Sequence, residues 1–331
     1  MRLAFLLSLV CVTGACACTI PVFRYALDRW EADKFHLVLP ASAAQDTALQ
    51  DVLRPLRANG KANMDITTSR DPAVSTAELR HSRESNQRVW TGTLDKVSLA
   101  ALLDSPARQK IVASILAGDS FVWVIADSGS SQDAAEVERI EKRLRFLEQV
   151  AALPIQDPTD PDSQLGPGPP LRLKFTTLRL LRDDPAESVL LKMLTGPKAE
   201  IDPASTSFAA AVFGKGRVLG AWPLAMLDDA TLEDASMFLV GRCGCRMKNE
   251  NPGWDLLLNV DWGKALEKAA TPGAQSQAIT AKMATPETVM AVALPPSVSV
   301  PVHWPWIAAV GAFVLGAAIW LLLRRAGAAK G

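Results

Sequence analysis

Hydrophobic and polar positions divide this chain into two apolar ends and a patterned middle. Residues 19–30, TIPVFRYALDRW, carry Val22, Ala26, Arg29 and Trp30 at helical spacing, and Pro21 suits a first turn. Residues 35–39, FHLVL, predict a short strand. Residues 46–58 place Leu49, Val52, Leu53 and Leu56 on one helical face and end at Asn59-Gly60, a helix stop. Next come an expected strand over 64–68, a polar loop over 70–86 and a strand over 88–94. Helices over 97–103 and 105–116 follow, the second closed by Gly118.

The pattern then restarts. Residues 120–126, SFVWVIA, are continuously apolar, the mark of a strand buried on both faces. Residues 128–131 read as a turn, 132–153 as a long charge-laced helix and 154–170 as a loop rich in Pro, Gly and Asp. Residues 171–181 alternate as a strand, with Leu173, Phe175, Thr177 and Arg179 on one side, and 185–194 form a helix ending at Gly196. Residues 208–213 and 218–222 are strands around the hairpin turn Gly214-Lys215-Gly216. Residues 231–241 are a final helix with Thr231 as N-cap and Asp234 at its third position. Residues 263–301, rich in Ala, Pro, Thr and Ser, read as a stalk.

The two ends supply an address. Arg2, the apolar run 3–12 and the small-residue site Ala15-Cys16-Ala17 predict a secretory signal over 1–17, whose removal makes Cys18 the first mature residue. Gly14 and Ala15 before Cys16 also permit lipidation, although Thr13 stands where that signal prefers Leu. Residues 304–323, WPWIAAVGAFVLGAAIWLLL, carry no charge and as a helix cover roughly 30 Å, the hydrocarbon thickness of a bilayer. Trp304, Trp306 and Trp320 suit the interfaces, and Arg324, Arg325 and Lys330 put the tail 324–331 in the cytoplasm. The expectation is a single-pass protein of a bacterial-type cell membrane with its bulk extracytoplasmic.

About 285 residues remain between these ends, enough for two domains of ordinary size. We expect an N-terminal α/β domain over 18–118, a second over 119–262 and a stalk over 263–303. Thirty-five acidic and thirty-five basic residues cancel, so no global field recruits nucleic acid. Three cysteines survive signal removal, Cys18, Cys243 and Cys245, so a hydrophobic core rather than a disulfide framework must hold the fold.

From 120 to 241 the order is strand, helix, strand, helix, strand, strand, helix. With the AAAVFGKGRVLGAW hairpin, it resembles the thioredoxin-like fold. The resemblance implies an α/β class of tandem three-layer thioredoxin-like domains, the second clearer than the first, followed by one transmembrane helix. It also places a Cys-x-x-Cys after the first strand, where a helix N-terminus lowers a thiol pKa. This chain has Asp127-Ser128-Gly129-Ser130-Ser131 there, and Ser205-Thr206-Ser207 approaches the third strand where the family has a proline. Stripped domains of this kind bind proteins or support architecture. In the first half, Cys18-Thr19-Ile20-Pro21 would occupy the Cys-x-x-Cys position with Pro21 replacing the second cysteine.

Cys243-Gly244-Cys245 is the sharpest local chemistry. In an oxidising space it forms a structural disulfide, internally or with Cys18, or exchanges disulfides with a client; a Cys-x-Cys ring is strained and therefore oxidising. With Met247 it also offers soft ligands for Cu(I), although one Cys-x-Cys without a second ligand cluster is a weak metal signal. His36, His81 and His303 are scattered, with no Walker A loop and no G-x-S-x-G. These absences leave no catalytic residue, cofactor or metal site to assign. The leading expectation is a non-catalytic binding or scaffolding module beside a membrane or extracytoplasmic protein. Thiol–disulfide exchange through Cys243 and Cys245 is the alternative, and Cu(I) handling a third.

Overall fold

The computed structural model describes residues 19–270 apart from 72, 82–86, 158, 199 and 243–246. The expected signal peptide, membrane span and tail, most of the stalk, and Cys18, Cys243 and Cys245 lie outside the described residues. Among the described residues no helix is long and apolar enough to cross a membrane.

The chain is mixed α/β and carries two mixed sheets. It opens with α1 (Val22–Arg29), then β1 (Phe35–Leu39), α2 (Thr47–Asn59), β2 (Met64–Thr68), β3 (Ala77–Arg80) and β4 (Arg88–Gly92). The first sheet has the order β2-β1-β3-β4. β1 and β2 are parallel, with Leu37 opposite Ile66, and α2 makes the crossover between them. β3 runs antiparallel to β1, and β4 antiparallel to β3. α2 is closed at both ends by its own sequence: the Asp46 side chain accepts from Leu49 N, and Gly60 takes a left-handed φ of 39°.

After α3 (Lys96–Leu103) and α4 (Pro106–Leu116) the order repeats: β5 (Phe121–Asp127), α5 (Ser131–Val150), β6 (Phe175–Leu181), α6 (Ser188–Leu194), β7 (Phe208–Phe213), β8 (Arg217–Pro223) and α7 (Asp229–Val240). β9 (Trp254–Asp255) and α8 (Trp262–Ala269) end the described chain. The second sheet has the order β6-β5-β7-β8-β9. β5 is parallel to β6 and antiparallel to β7, repeating the directions of the first sheet.

β5 is buried along its whole length, as its unbroken apolar run requires. Phe121, Trp123 and Ile125 face a layer built from α1, α5 and α7. Val122, Val124 and Ala126 face the opposite way, into a core shared with α4, α6 and the inner face of the first sheet at Phe35, Leu37, Leu39 and Leu79. That core continues across Gly118, where the expected domain boundary falls. Among the described residues no helix lies between β2 and β3, and the outer face of the first sheet shows His36, Thr67, Arg88 and Thr91 to solvent.

Several local expectations need correction. α1 packs on β7 and α7 rather than on the first sheet, because Val22, Phe23, Ala26 and Trp30 form its apolar stripe. Pro21 therefore does not open the crossover helix of the first sheet; α2 does. The expected loop over 70–86 contains β3, whose Leu79 is fully buried between Leu37 and Trp90. α7 starts two residues early, capped by Asp228, which accepts from Thr231 N at 2.8 Å; Thr231 is not the cap. The start of the expected stalk is helical: α8 buries Leu266. Arg139 and Arg143 on the charge-laced helix α5 pair with Asp229 and Glu233 of α7.

Candidate functional site

The turn from β5 into α5 occupies the position where the resemblance expects chemistry. Asp127 ends β5 fully buried. Its carboxylate accepts from Arg179 Nε at 2.5 Å and Nη2 at 2.9 Å, and from Gly129 N at 2.7 Å. Gly129 turns the chain with a φ of +75°. Ser130 caps α5 by accepting from Asp133 N at 3.2 Å. Asp133 Oδ2 then accepts from Ser128 N at 2.8 Å, Ser128 Oγ at 2.5 Å and Ser207 Oγ at 2.6 Å. Ser207 immediately precedes β7, so the approach to that strand is tied to the first turn of α5.

The electrostatics close this turn. Arg179 holds the Asp127 carboxyl below the usual carboxylate range. Burial pushes Asp133 upward, but the hydrogen bonds from Ser128 and Ser207 outweigh it, and its net shift is downward. Both acids are therefore fixed as acceptors. Ser128 and Ser207 direct their protons to Asp133, and both described histidines lie in the first half of the chain, on or beside the first sheet, so no imidazole activates either hydroxyl. Asp133 sits in the first turn of α5, where it accepts from Ser128 and Ser207.

A second polar cluster lies at the far edge of the same sheet. Arg217 of β8 and Asp255 of β9 are each 3% exposed and face each other at 3.5 Å. Lys248 Nζ bonds Asp255, Asp33 Oδ1 at 2.9 Å and the Glu31 carbonyl at 2.5 Å. Lys215 pairs with Glu31 at 2.8 Å, and the Arg217 guanidinium lies over the Trp30 ring, 5.5 Å from its centre. Lys215, Arg217 and Lys248 face Glu31, Asp33 and Asp255, so the charges of the cluster are mutually compensated. Its visible effect is structural: it locks α1's exit to the segment that follows the Cys-Gly-Cys motif.

The cysteines themselves lie outside the described residues, but their neighbours do not. Arg242 forms an antiparallel bridge with Pro21, and Val22 N donates to the Gly241 carbonyl at 3.0 Å. Met247, the third sulfur of the Cu(I) reading, is exposed. His36 is exposed, whereas His81 is buried against the Phe35 ring. Among the described residues no group of three His, Cys, Asp or Glu side chains is placed to hold a metal ion.

The Asp133–Ser207 link and the Asp255 cluster were not legible beforehand. Their partners come from segments far apart in the chain, and β9 has only two residues. The serine-rich turn was legible, through its place after an apolar strand. The chain matches no protein-family model, no curated protein and no solved structure.

Proposed function

We propose that this chain is an extracytoplasmic, membrane-tethered module of two thioredoxin-like units that binds or scaffolds a membrane or exported protein without catalysing thiol exchange at the family's usual position. The strand order and directions, shared by both sheets, support the fold reading. Among the described residues the first unit lacks the second crossover helix, and this is the main departure. The observation that carries the functional reading is the closed turn at Asp127 to Asp133, where every hydroxyl and carboxylate named above is already engaged by its neighbours. Tethering rests on the hydrophobic ends of the sequence.

The test is a thiol assay on the full chain purified in detergent. We expect no reduction of a protein disulfide above background, and no loss of partner binding when Ser128 and Ser130 become Ala. If Cys243 and Cys245 cycle between oxidised and reduced forms near the compartment's redox poise, the chain is a thiol–disulfide protein instead. Stoichiometric Cu(I) uptake abolished by Cys245→Ser selects metal handling.

A further inference from the structure

We propose that the outer edge of β6 pairs antiparallel with the same edge of a second copy of this chain, about a two-fold axis at Leu178. β6 ends its sheet: β5 lies on one side of it and, among the described residues, no strand lies on the other. Every residue of β5 is buried, whereas β6 is half-buried or exposed from Thr176 onward. Edge strands are ordinarily blunted by a proline, a bulge or an outward charge. β6 contains no proline and keeps an unbroken register with β5, and its only charge, Arg179, is turned onto Asp127. Backbone parity decides what this edge offers, because successive residues of a strand aim their N–H and C=O groups at opposite edges. The Lys174 carbonyl accepts from Ser120 N at 2.8 Å and Arg182 N donates to the Asp127 carbonyl at 2.9 Å, so the even-numbered residues face β5. The odd-numbered residues face outward, and two of their groups are engaged. Phe175 N donates to Glu148 Oε2 at 2.6 Å, and the Leu181 carbonyl accepts from Asp184 N at 3.1 Å. Between them, the backbone N–H and C=O of Thr177 and Arg179 have no partner among the described residues.

The two engaged groups select a second copy and fix the register. With the axis at Leu178, Thr177 lies opposite Arg179 of the second copy and exchanges both bonds with it, and the two-fold repeats the pair. Phe175 then lies opposite Leu181 of the second copy, and the bond that cannot form there is the one whose donor and acceptor are both already satisfied. Moving the axis to Thr177 sets the engaged Phe175 N against the Arg179 carbonyl and strands that acceptor. Moving it to Arg179 sets the engaged Leu181 carbonyl against Thr177 N and strands that donor. Burying an unpaired backbone group disfavours both. The side chains agree with the same register. Leu178 meets its symmetry mate at a non-hydrogen-bonded position, with Cα atoms roughly 4.5 Å apart, on the face where Leu178 and Leu180 already pack against the shared core. On the other face Leu181, 50% exposed, comes against Phe175, and Thr177 comes beside Arg179. The one unfavourable pair, Lys174 with Arg182, lies beyond the ends of β6, where Lys174 already has Glu148 at 3.7 Å.

The pairing rests on described residues alone, so it stands or falls separately from the export and binding readings. The deciding experiment is a cross-link in the full chain. Leu178→Cys, oxidised with diamide, digested with trypsin and mapped by mass, should give the peptide 175–179 joined to itself, because its copies lie within disulfide reach. Thr177→Cys should give no such product, because its copies are two residues out of step. Light scattering on the wild type in detergent should report the mass of two chains. Thr177→Pro should report one, since it removes an N–H that faces outward and spares the ladder with β5. If Thr177→Pro fails to fold, the Leu178→Cys link decides alone. Absence of that link, a link through Thr177→Cys in its place, or a link from Leu178→Cys to another polypeptide overturns the pairing. A two-chain mass without the link is association through another surface, the apolar segment 304–323 included, and overturns it equally.

Discussion

His81 is 3% exposed, lies against Phe35 and shares a hydrogen bond with the Lys192 backbone; its Nε2 has no partner among the described residues. Burial depresses its pKa to about 4 from the ordinary 6.5. The sign follows from proton counts: between these values the unfolded chain binds a proton that the folded chain refuses. Stability is therefore full above pH 6.5 and lost as the pH falls toward 4, by about 3 kcal/mol from this group. Urea midpoints measured from pH 7 to 4 should show the loss, and His81→Phe should flatten it. Gly253 makes a different demand. Its φ is +108°, and a Cβ there would overlap the Val218 carbonyl oxygen, so Gly253→Ala should cost about 2–3 kcal/mol and lower the Tm without altering the oxidation state of the cysteines.

At the scale of elements, the joint between the two sheets is a buried polar network. Glu187, just before α6, accepts from Ser105 Oγ at 2.6 Å and Ala107 N at 2.8 Å at the start of α4. Arg108 bonds Ser105 Oγ and then the last carbonyls of α3, at Ala101 and Leu102. Removing the acid takes a nearby opposite charge from the buried Arg108 guanidinium and leaves Ser105 Oγ and Ala107 N without their acceptor, while Ser105 still caps α4. Glu187→Ala should therefore cost about 2–4 kcal/mol in chemical denaturation, and Glu187→Gln about half of that. None of this could be read from the expected helix over 185–194, although a helical turn does begin at Pro185. Elements that carry their own stop and start signals were legible: α2 between Asp46 and Gly60, and β7 and β8 around Gly214-Lys215-Gly216. β3 was not, because four residues among polar neighbours give too little alternation, and its burial comes from Leu37 and Trp90 on other strands. α8 was hidden by an Ala-rich composition that continues into the expected stalk. Of the candidate site, the missing thiols were plain in the sequence, whereas one of the two serines that donate to Asp133, Ser207, is brought in by tertiary structure.

At the scale of the molecule, one core serves both sheets. Val122, Val124 and Phe208 pack in the same cluster as Leu37, Leu79 and Ile111. A fragment of residues 119–270 would expose that face and also lack α1. It should bind an apolar dye and unfold without a cooperative transition, whereas the full chain should melt in one step. A fragment with sharp melting and native near-ultraviolet dichroism would mean that the second unit is self-sufficient.

The placement of α1 also carries a consequence for the order of events in time. α1 is the earliest described helix to be synthesised, yet it belongs to the layer completed by α7, and Asp33 just after it reaches Asp255, 222 positions along the chain. Its docking site does not exist until nearly all of the described chain has been made. Contacts of such long separation form slowly, because the intervening loop must close first. The docking of α1 is thus a late step that joins the beginning of the described chain to its end.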